Sequence, residues 1–356
     1  MSDLQIGLLV LGAAVVGAVY AYNRLQELRL RRRLGQAFDR VTEDALLGEP
    51  REPVLASAVP EVEPAPVQAG EPRREAAAEL GAAEPAFDPA LEYVAEIAAD
   101  APIPEAVVAE VTRRAAECGK PTRAAGYDAQ RGQWDDLARG APGRYTRVRI
   151  ALQLVNRGGP VSSAQLSAFC DALRAGAERA GARALLPETQ PALEQARELD
   201  AFCARVDVAI GVNVVAREGK SFTGPRIRAL AEAAGFRLEP EGVFHYRDEQ
   251  RRTLFTLDNH EPAPFLPERI RSLTTRGVTL LLDVPRVADG ERALARMLEI
   301  AGELATALEG RLVDDNRIAL TEAGIARIRE QLKQIRSAME ARGVAAGSER
   351  ALRLFS

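Results

Sequence analysis

The residues at positions 6–22, IGLLVLGAAVVGAVYAY, carry no charge, and seventeen apolar residues in a row have few places to go. At about 1.5 Å per residue, a helix of this length covers roughly 25 Å, the lower limit for crossing a hydrocarbon core of about 30 Å. Asp3 precedes the stretch, whereas Arg24, Arg29, Arg31, Arg32 and Arg33 follow it. Arginines stay on the cytoplasmic side of a bilayer, so the flanks predict a single-pass anchor with residues 1–5 outside and the body inside. Tyr20 and Tyr22 suit the headgroup level. The rival reading is a cleaved signal peptide, with Ala18-Val19-Tyr20-Ala21 as a weak cleavage site. That needs positive charge before the apolar stretch, and here the order is reversed. The same arginines are placed to meet anionic lipid headgroups.

A basic, modestly helical stalk follows at 23–47, and then a spacer at 48–89 rich in Pro, Ala and Glu, with EPREPV, VPEVEPAPVQAGEP and EPAFDP. Proline blocks helix and sheet interiors, and with so few large apolar side chains the segment cannot offset its chain entropy. It reads as a disordered, semi-extended linker with a reach of tens of ångströms to about 100 Å. The cysteines, Cys118, Cys170 and Cys203, have no CxxC spacing, which fits a reducing compartment. A formal net charge of −4 gives the body no overall pull toward nucleic acid.

From Leu91 the pattern becomes globular, α+β in class, and the same order of elements, β-α-β-β-β-α-α, occurs in 90–205 and again in 206–340, leaving 341–356 as a tail. Two such stretches of similar length predict a tandem pair of α/β sandwich copies, each an antiparallel sheet with helices on one face. In the second copy Val208, Ile210, Val212 and Val214 share one face of a strand, and Val278, Leu280, Leu282 and Val284 share one face of another. Those faces should meet the helix at 288–308, whose stripe is Leu294, Met297, Leu298, Ala301, Leu304 and Leu308. The opposite faces carry Asp207, Ala209, Gly211, Asn213, Thr279, Leu281 and Asp283, a mixed set suited to an uncovered side.

No catalytic constellation emerges. The histidines, His245 and His260, have no metal-ligand spacing, and no glycine-rich phosphate loop follows a strand, so no metal, cofactor or enzymatic site is predicted. His245 faces away from Phe244 and Tyr246 in its strand and reads as a surface residue. Asp135-Asp136 and Asp314-Asp315 could be acid/base or cation pairs, but Thr321 and Glu322 just after the latter look like a helix start. Trp134 reads as a packing residue of the core or of an inter-domain contact, with an exposed anchor for a peptide as the sharper alternative. Met297 and Met339 need no role beyond packing.

The opening MSDLQIGLLVLGAAVVGAVYAYN, the basic stalk, the proline-rich spacer and a run of motifs from Val206 to about Ile335 together resemble the ZipA cell-division family. The motifs are VNVVAREGKSFTG, AGFRLE, VFHYRD, LFTLDN, PERIRSLTTRGVTLLLDVPR and VDDNRIALTE. The resemblance implies a non-enzymatic adaptor in the bacterial inner membrane, N-terminus periplasmic and body cytoplasmic. Its open sheet face would hold the C-terminal peptide of FtsZ and so anchor FtsZ filaments, the Z ring, during septation, with other division proteins as further partners. The groove positions implied are Ala209, Gly211, Glu241, Val243, Asp258, His260 and Leu281. Where the family offers long apolar side chains this chain has Asp258, His260 and Glu241, which implies a weaker or differently tuned groove. The globular copy at 90–205 is a second departure, since the family is described with one globular domain. The alternative is a membrane-anchored division or envelope scaffold with altered or lost FtsZ binding.

Overall fold

Alternation of buried and half-exposed positions builds the first sheet. In Glu92–Ala98 (β1), Tyr93, Ala95 and Ile97 point into the core while Val94 and Ala98 are half-buried on the other side. The computed structural model describes residues 87–137, 143–315 and 317–356, all within one unit of the fold, Leu80–Ser356. The expected anchor, the stalk with Arg24, Arg29, Arg31, Arg32 and Arg33, and nearly all of the expected linker lie outside the described residues. Among the described residues no helix is long and apolar enough to cross a membrane.

The chain continues through Glu105–Ala116 (α1), Thr122–Asp128 (β2), Gln133–Asp136 (β3) and Tyr145–Gln153 (β4). Then come a small hairpin, Val155–Asn156 (β5) and Gly159–Pro160 (β6), followed by Ser163–Ala180 (α2), Arg183–Leu185 (β7) and Thr189–Val206 (α3). The first sheet has the order β3-β2-β4-β1-β7, with antiparallel pairing throughout. Helix α2 starts at a capping box, Ser162 with Gln165, and stops at Gly181 with φ 61°, the left-handed conformation that glycine adopts without steric cost. It lies so close to α1 that a Cβ on Gly176 would sit 2.0 Å from Val111 Cγ2.

The second part runs through Ala209–Val215 (β8), Phe222–Thr223 (β9), Gly224–Ala233 (α4), Arg237–Leu238 (β10), Phe244–Arg247 (β11) and Thr253–Asn259 (β12). It ends with Thr274–Thr275 (β13), Gly277–Asp283 (β14), Gly290–Ala307 (α5), Arg311–Val313 (β15), Glu322–Ala341 (α6) and Glu349–Leu354 (α7). The main sheet is β10-β11-β12-β14-β8-β15, again antiparallel. Val212, Val214, Val278, Leu280 and Leu282 are buried against Leu294, Met297, Ala301 and Leu304 of α5, as the periodicity predicts. Ile300 and Ala293 join that stripe, and Leu298 is only partly buried beside it.

The two sheets share a spine, β4-β1-β7 in one and β14-β8-β15 in the other. Beside the spine they part company. In the first sheet the earlier hairpin strand, β2, pairs with the central β4 and β3 takes the edge; in the second the last strand of the β10-β11-β12 meander pairs with β14. Each also has a short strand between two helices, β7 between α2 and α3 and β15 between α5 and α6, which the sequence pattern passes over because three residues are too few to show a period.

Residues 341–356, read from the sequence as a tail, return to the first core. Val344, Ala351, Leu354 and Phe355 are buried among Leu152, Leu154 and Val155, and α6 spans both cores, with Leu332 in the second and Met339 in the first. Arg157, between β5 and β6, ties the two parts together: its guanidinium donates to Asp207 Oδ1 (2.7 Å) and to both Asp283 oxygens (2.8 Å each). Burial works against its charge, but the two carboxylates outweigh it and raise its pKa.

Candidate functional site

The uncovered face of the second sheet follows directly from the register. Leu281 on β14 lies opposite Gly211 on β8 and Thr256 on β12, and Thr256 lies opposite His245 on β11. The adjacent row is Asp258, Thr279 and Asn213, and at the end of the sheet Asp283 faces Ala209. Leu281 is 38% exposed while Leu280 and Leu282 on either side are fully buried, so this strand turns alternate leucines into the core and out of it.

All of the sequence-predicted groove positions fall on or beside this face. Ala209, Gly211, Asp258 and Leu281 sit on its strands. Val243 immediately precedes β11 and is half-buried, on the side opposite the core residue Phe244. His260 follows β12, two residues beyond Asp258, and its backbone N–H donates to Gly277 O. Glu241, in the turn before β11, reaches His245 Nε2 at 3.0 Å.

A string of hydrogen bonds crosses the face one row from Leu281. Thr279 Oγ1 donates to Asn213 Oδ1 (2.6 Å), and Asn213 Nδ2 donates to Asp315 Oδ1 (2.9 Å). With its own proton on Asn213, the Thr279 oxygen is the acceptor for His260 Nδ1 (3.3 Å), which assigns the proton to that nitrogen. Asp315 belongs to the loop after β15, whose shape is set by Asp314: its backbone N–H donates to Ile318 O, its Oδ1 accepts from Ile318 N, and Arg317 adopts φ 63°. A Cβ on Gly211 would lie 2.8 Å from Asp315 Oδ1, so glycine at this position admits the carboxylate. Asp314-Asp315 therefore shapes a loop and one border of the face, in keeping with the helix start at Thr321, whose side chain accepts from Gly324 N.

The sequence did not flag Asp315, Asn213 and Thr279 as a connected unit, because hydrogen bonds spanning 66 and 102 residues leave no local signal. Nor did it single out Ile318, which is 63% exposed in the same loop. His245, read as a plain surface residue, is well covered: Nδ1 meets Thr253 Oγ1 at 3.1 Å and Nε2 meets Glu241. Burial pushes the Asp258 carboxyl above its ordinary value, opposed only by the backbone N–H of Asn259.

The first sheet also has an uncovered face, furnished differently. Glu92 binds Arg123 (2.7 and 2.8 Å) and Arg353 (2.5 Å), and Glu96 binds Arg147 and Arg149 (2.6 Å each). Trp134 is half-buried against Tyr127, with Arg149 and Arg147 over its ring at 4.8 and 5.5 Å. It is thus neither core nor inter-domain packing, the expectation from sequence, but part of this face. Among the described residues no group of three or more His, Cys, Asp or Glu side chains could hold a metal ion.

Residues 208–331 match the family described as the ZipA C-terminal FtsZ-binding domain. Similar proteins include the cell division protein ZipA of Marinobacter nauticus, 30% identical over 114 residues, or 31% of this chain and 34% of that one. ZipA of Ectopseudomonas mendocina is 30% identical over 132 residues (36% and 48%), and that of Shewanella sediminis 30% over 147 residues (38% and 43%). The chain thus spans less than half the length of these curated relatives.

Proposed function

The chain belongs, through residues 208–331, to the ZipA cell-division family, and from that premise we propose that it is a division adaptor that binds the C-terminal peptide of FtsZ on the uncovered face of its second sheet. One observation carries this reading. Within the matched region, a leucine flanked by two fully buried leucines is turned out of the core, on a sheet face that no helix covers among the described residues. Such a face offers an incoming peptide an apolar contact without any rearrangement of the fold.

Ala209, Gly211, Val243 and Leu281 would line the apolar part of the groove, with Glu241, Asp258 and His260 as its polar part. In this reading the segment at 6–22 anchors the adaptor in the inner membrane, with Arg24, Arg29, Arg31, Arg32 and Arg33 against anionic headgroups on the cytoplasmic side. Tethering a filament needs reach and a groove and no nucleophile, so the adaptor is non-enzymatic. A shallow groove binds at about micromolar strength, and many anchored copies acting on one polymer raise the avidity.

Titration of the full chain with the FtsZ C-terminal peptide tests this. Burying a leucine is worth about 1.5–3 kcal/mol, so Leu281→Lys should weaken binding roughly ten- to a hundredfold with the circular dichroism spectrum unchanged. Equal affinity for the parent chain and Leu281→Lys would remove the face from consideration, and no binding to either would favour the scaffold alternative.

A further inference from the structure

We propose that the groove on the second sheet selects a peptide carrying a lysine or arginine next to its apolar anchor, and that Asp258 is the residue that recognises this cation. The inference rests on the peptide-binding reading above and specifies which peptide the face takes.

Asp258 stands apart from most of the acids around it, while Glu261 beyond the end of β12 accepts from the backbone N–H of Arg276. Asp283 is held by Arg157, Glu241 by His245, Glu239 by Arg247 and Asp248 by Arg252. Asp315 accepts from Asn213. Asp258 is half-buried between strands, and its one hydrogen bond comes from the neighbouring backbone N–H of Asn259 at 2.7 Å. No ion pair reaches it among the described residues. A carboxylate partly removed from water without a cation is an uncompensated cost in the free protein, and a guanidinium or ammonium from a ligand would offset it. Its raised pKa has this same physical origin, the loss of solvent around the charge.

The first sheet supplies an internal contrast. There the carboxylates of the uncovered face, Glu92 and Glu96, each hold two arginines of the chain itself. The same protein therefore provides cations for its acids where the face is self-contained and provides none at Asp258.

Geometry sets the spacing of the ligand groups. Asp258 lies opposite Thr279, and Leu281 is two residues further along β14, so Asp258 and Leu281 are diagonal neighbours about 7–8 Å apart on one face. An extended peptide places residues i and i+2 on one side at about 6.6–6.8 Å, and a helical one brings i and i+3 or i+4 within about 5–6 Å. Either form can seat an apolar side chain against Leu281 and a basic one over Asp258 together. Val243, on the other side of Asp258, would cover the aliphatic stem of that basic side chain.

The test is a double-mutant cycle on the full chain, read by fluorescence anisotropy. The ligands are the FtsZ C-terminal peptide and variants in which any lysine or arginine it carries is replaced in turn by glutamine, and a peptide that binds while carrying neither overturns the inference. For one peptide position the replacement should cost about tenfold in affinity with the parent chain and little with Asp258→Asn, which itself binds the parent peptide about tenfold more weakly. Asp258→Asn keeps the side-chain shape, and its thermal unfolding checks the fold. Binding that Leu281→Lys destroys but Asp258→Asn leaves unchanged overturns this inference alone. Losses in both with no coupling to any basic position also overturn it. No binding of the parent peptide to the parent chain overturns it together with the reading it rests on.

Discussion

The two sheets each bury one face under helices and leave the other without a helix over it among the described residues, yet they treat that second face in opposite ways. On the first, two nearly buried glutamates are enclosed by Arg123, Arg147, Arg149 and Arg353, and Trp134 lies under two of those arginines. On the second, Leu281 is exposed and Asp258 has no ion pair among the described residues. A face that satisfies its own charges gains little from a ligand. One that leaves an apolar side chain in water and an acid without a cation has both terms to gain. The difference separates the face suited to binding from the face suited to stability.

The sharpest break of this contrast comes from adjacent leucines on β14. Leu280→Lys places an ammonium in the core beneath α5, a change expected to cost more than about 4 kcal/mol and to unfold the second part of the chain. Leu281→Lys, one residue along, should shift stability by no more than about 0.5 kcal/mol. Urea unfolding followed by far-ultraviolet circular dichroism measures both. Similar losses in the two variants would mean that Leu281 is a core residue and that the face is covered.

This pair also marks what the sequence made legible. Period-two alternation in β8 and β14 was enough to assign Leu280 and Leu281 to opposite sides, and the helical stripe of α5 was read nearly whole. The same alternation put Ala209 and Gly211 on the side of Leu281, whereas Val243, Asp258 and His260 were groove positions only through the family resemblance. What local pattern could not carry was long-range partnership. The arginine pairs of Glu92 come from residues 31 and 261 positions away, and the return of Phe355 to the first core joins the two ends of the described chain. Trp134 was misassigned for the same reason: its neighbours Arg147 and Arg149 arrive on β4, after β3 has ended.

A middle-sized effect is expected on the first face. Glu92→Ala removes a carboxylate whose side chain is 1% exposed and takes their shared partner from Arg123 and Arg353. Those arginines keep some contact with water, so the cost should be about 2–3 kcal/mol, below that of a fully buried pair. The acid response has opposite signs on the two faces. Burial by itself would raise the pKa of Glu92, and likewise of Glu96, but the arginines hold both below the usual value of 4.5. Their stabilisation is therefore present above pH 4.5 and lost as the pH falls through the lower folded-state values. Asp258 is shifted upward from 3.8, so its ionised form costs stability above the raised value, and acid relieves that cost. Trp134 is the one tryptophan of the chain, so its fluorescence reports the first part. Acidification below pH 4.5 should lower the urea midpoint seen by tryptophan in the parent chain, and Glu92→Ala should flatten that dependence. An unchanged slope in the variant would deny Glu92 this role.

The smallest effect concerns the joint between the two parts, and it asks whether the self-contained face supports the binding one. Arg157 reaches from the β5–β6 hairpin to Asp207 before β8 and to Asp283 at the end of β14, the strand that carries Leu281. All three side chains are partly exposed, at 35%, 22% and 31%, and ion pairs in such surroundings contribute about 0–1 kcal/mol each. Arg157→Ala should thus lower the melting temperature by only about 2–4 °C. Arg157→Lys should restore little of it, because one ammonium cannot span two carboxylates as the planar fork does. The informative readout is cooperativity. In the parent chain, unfolding seen by Trp134 fluorescence and by circular dichroism should coincide, since α6 places Leu332 in one core and Met339 in the other. If Arg157→Ala separates the two transitions, the arginine is a principal coupling between the parts, and peptide affinity should fall slightly as the end of β14 loosens. If they still coincide, α6 and the buried Phe355 are enough to join the parts, and the proposed peptide site on the second face rests on a support that owes nothing to this ion pair.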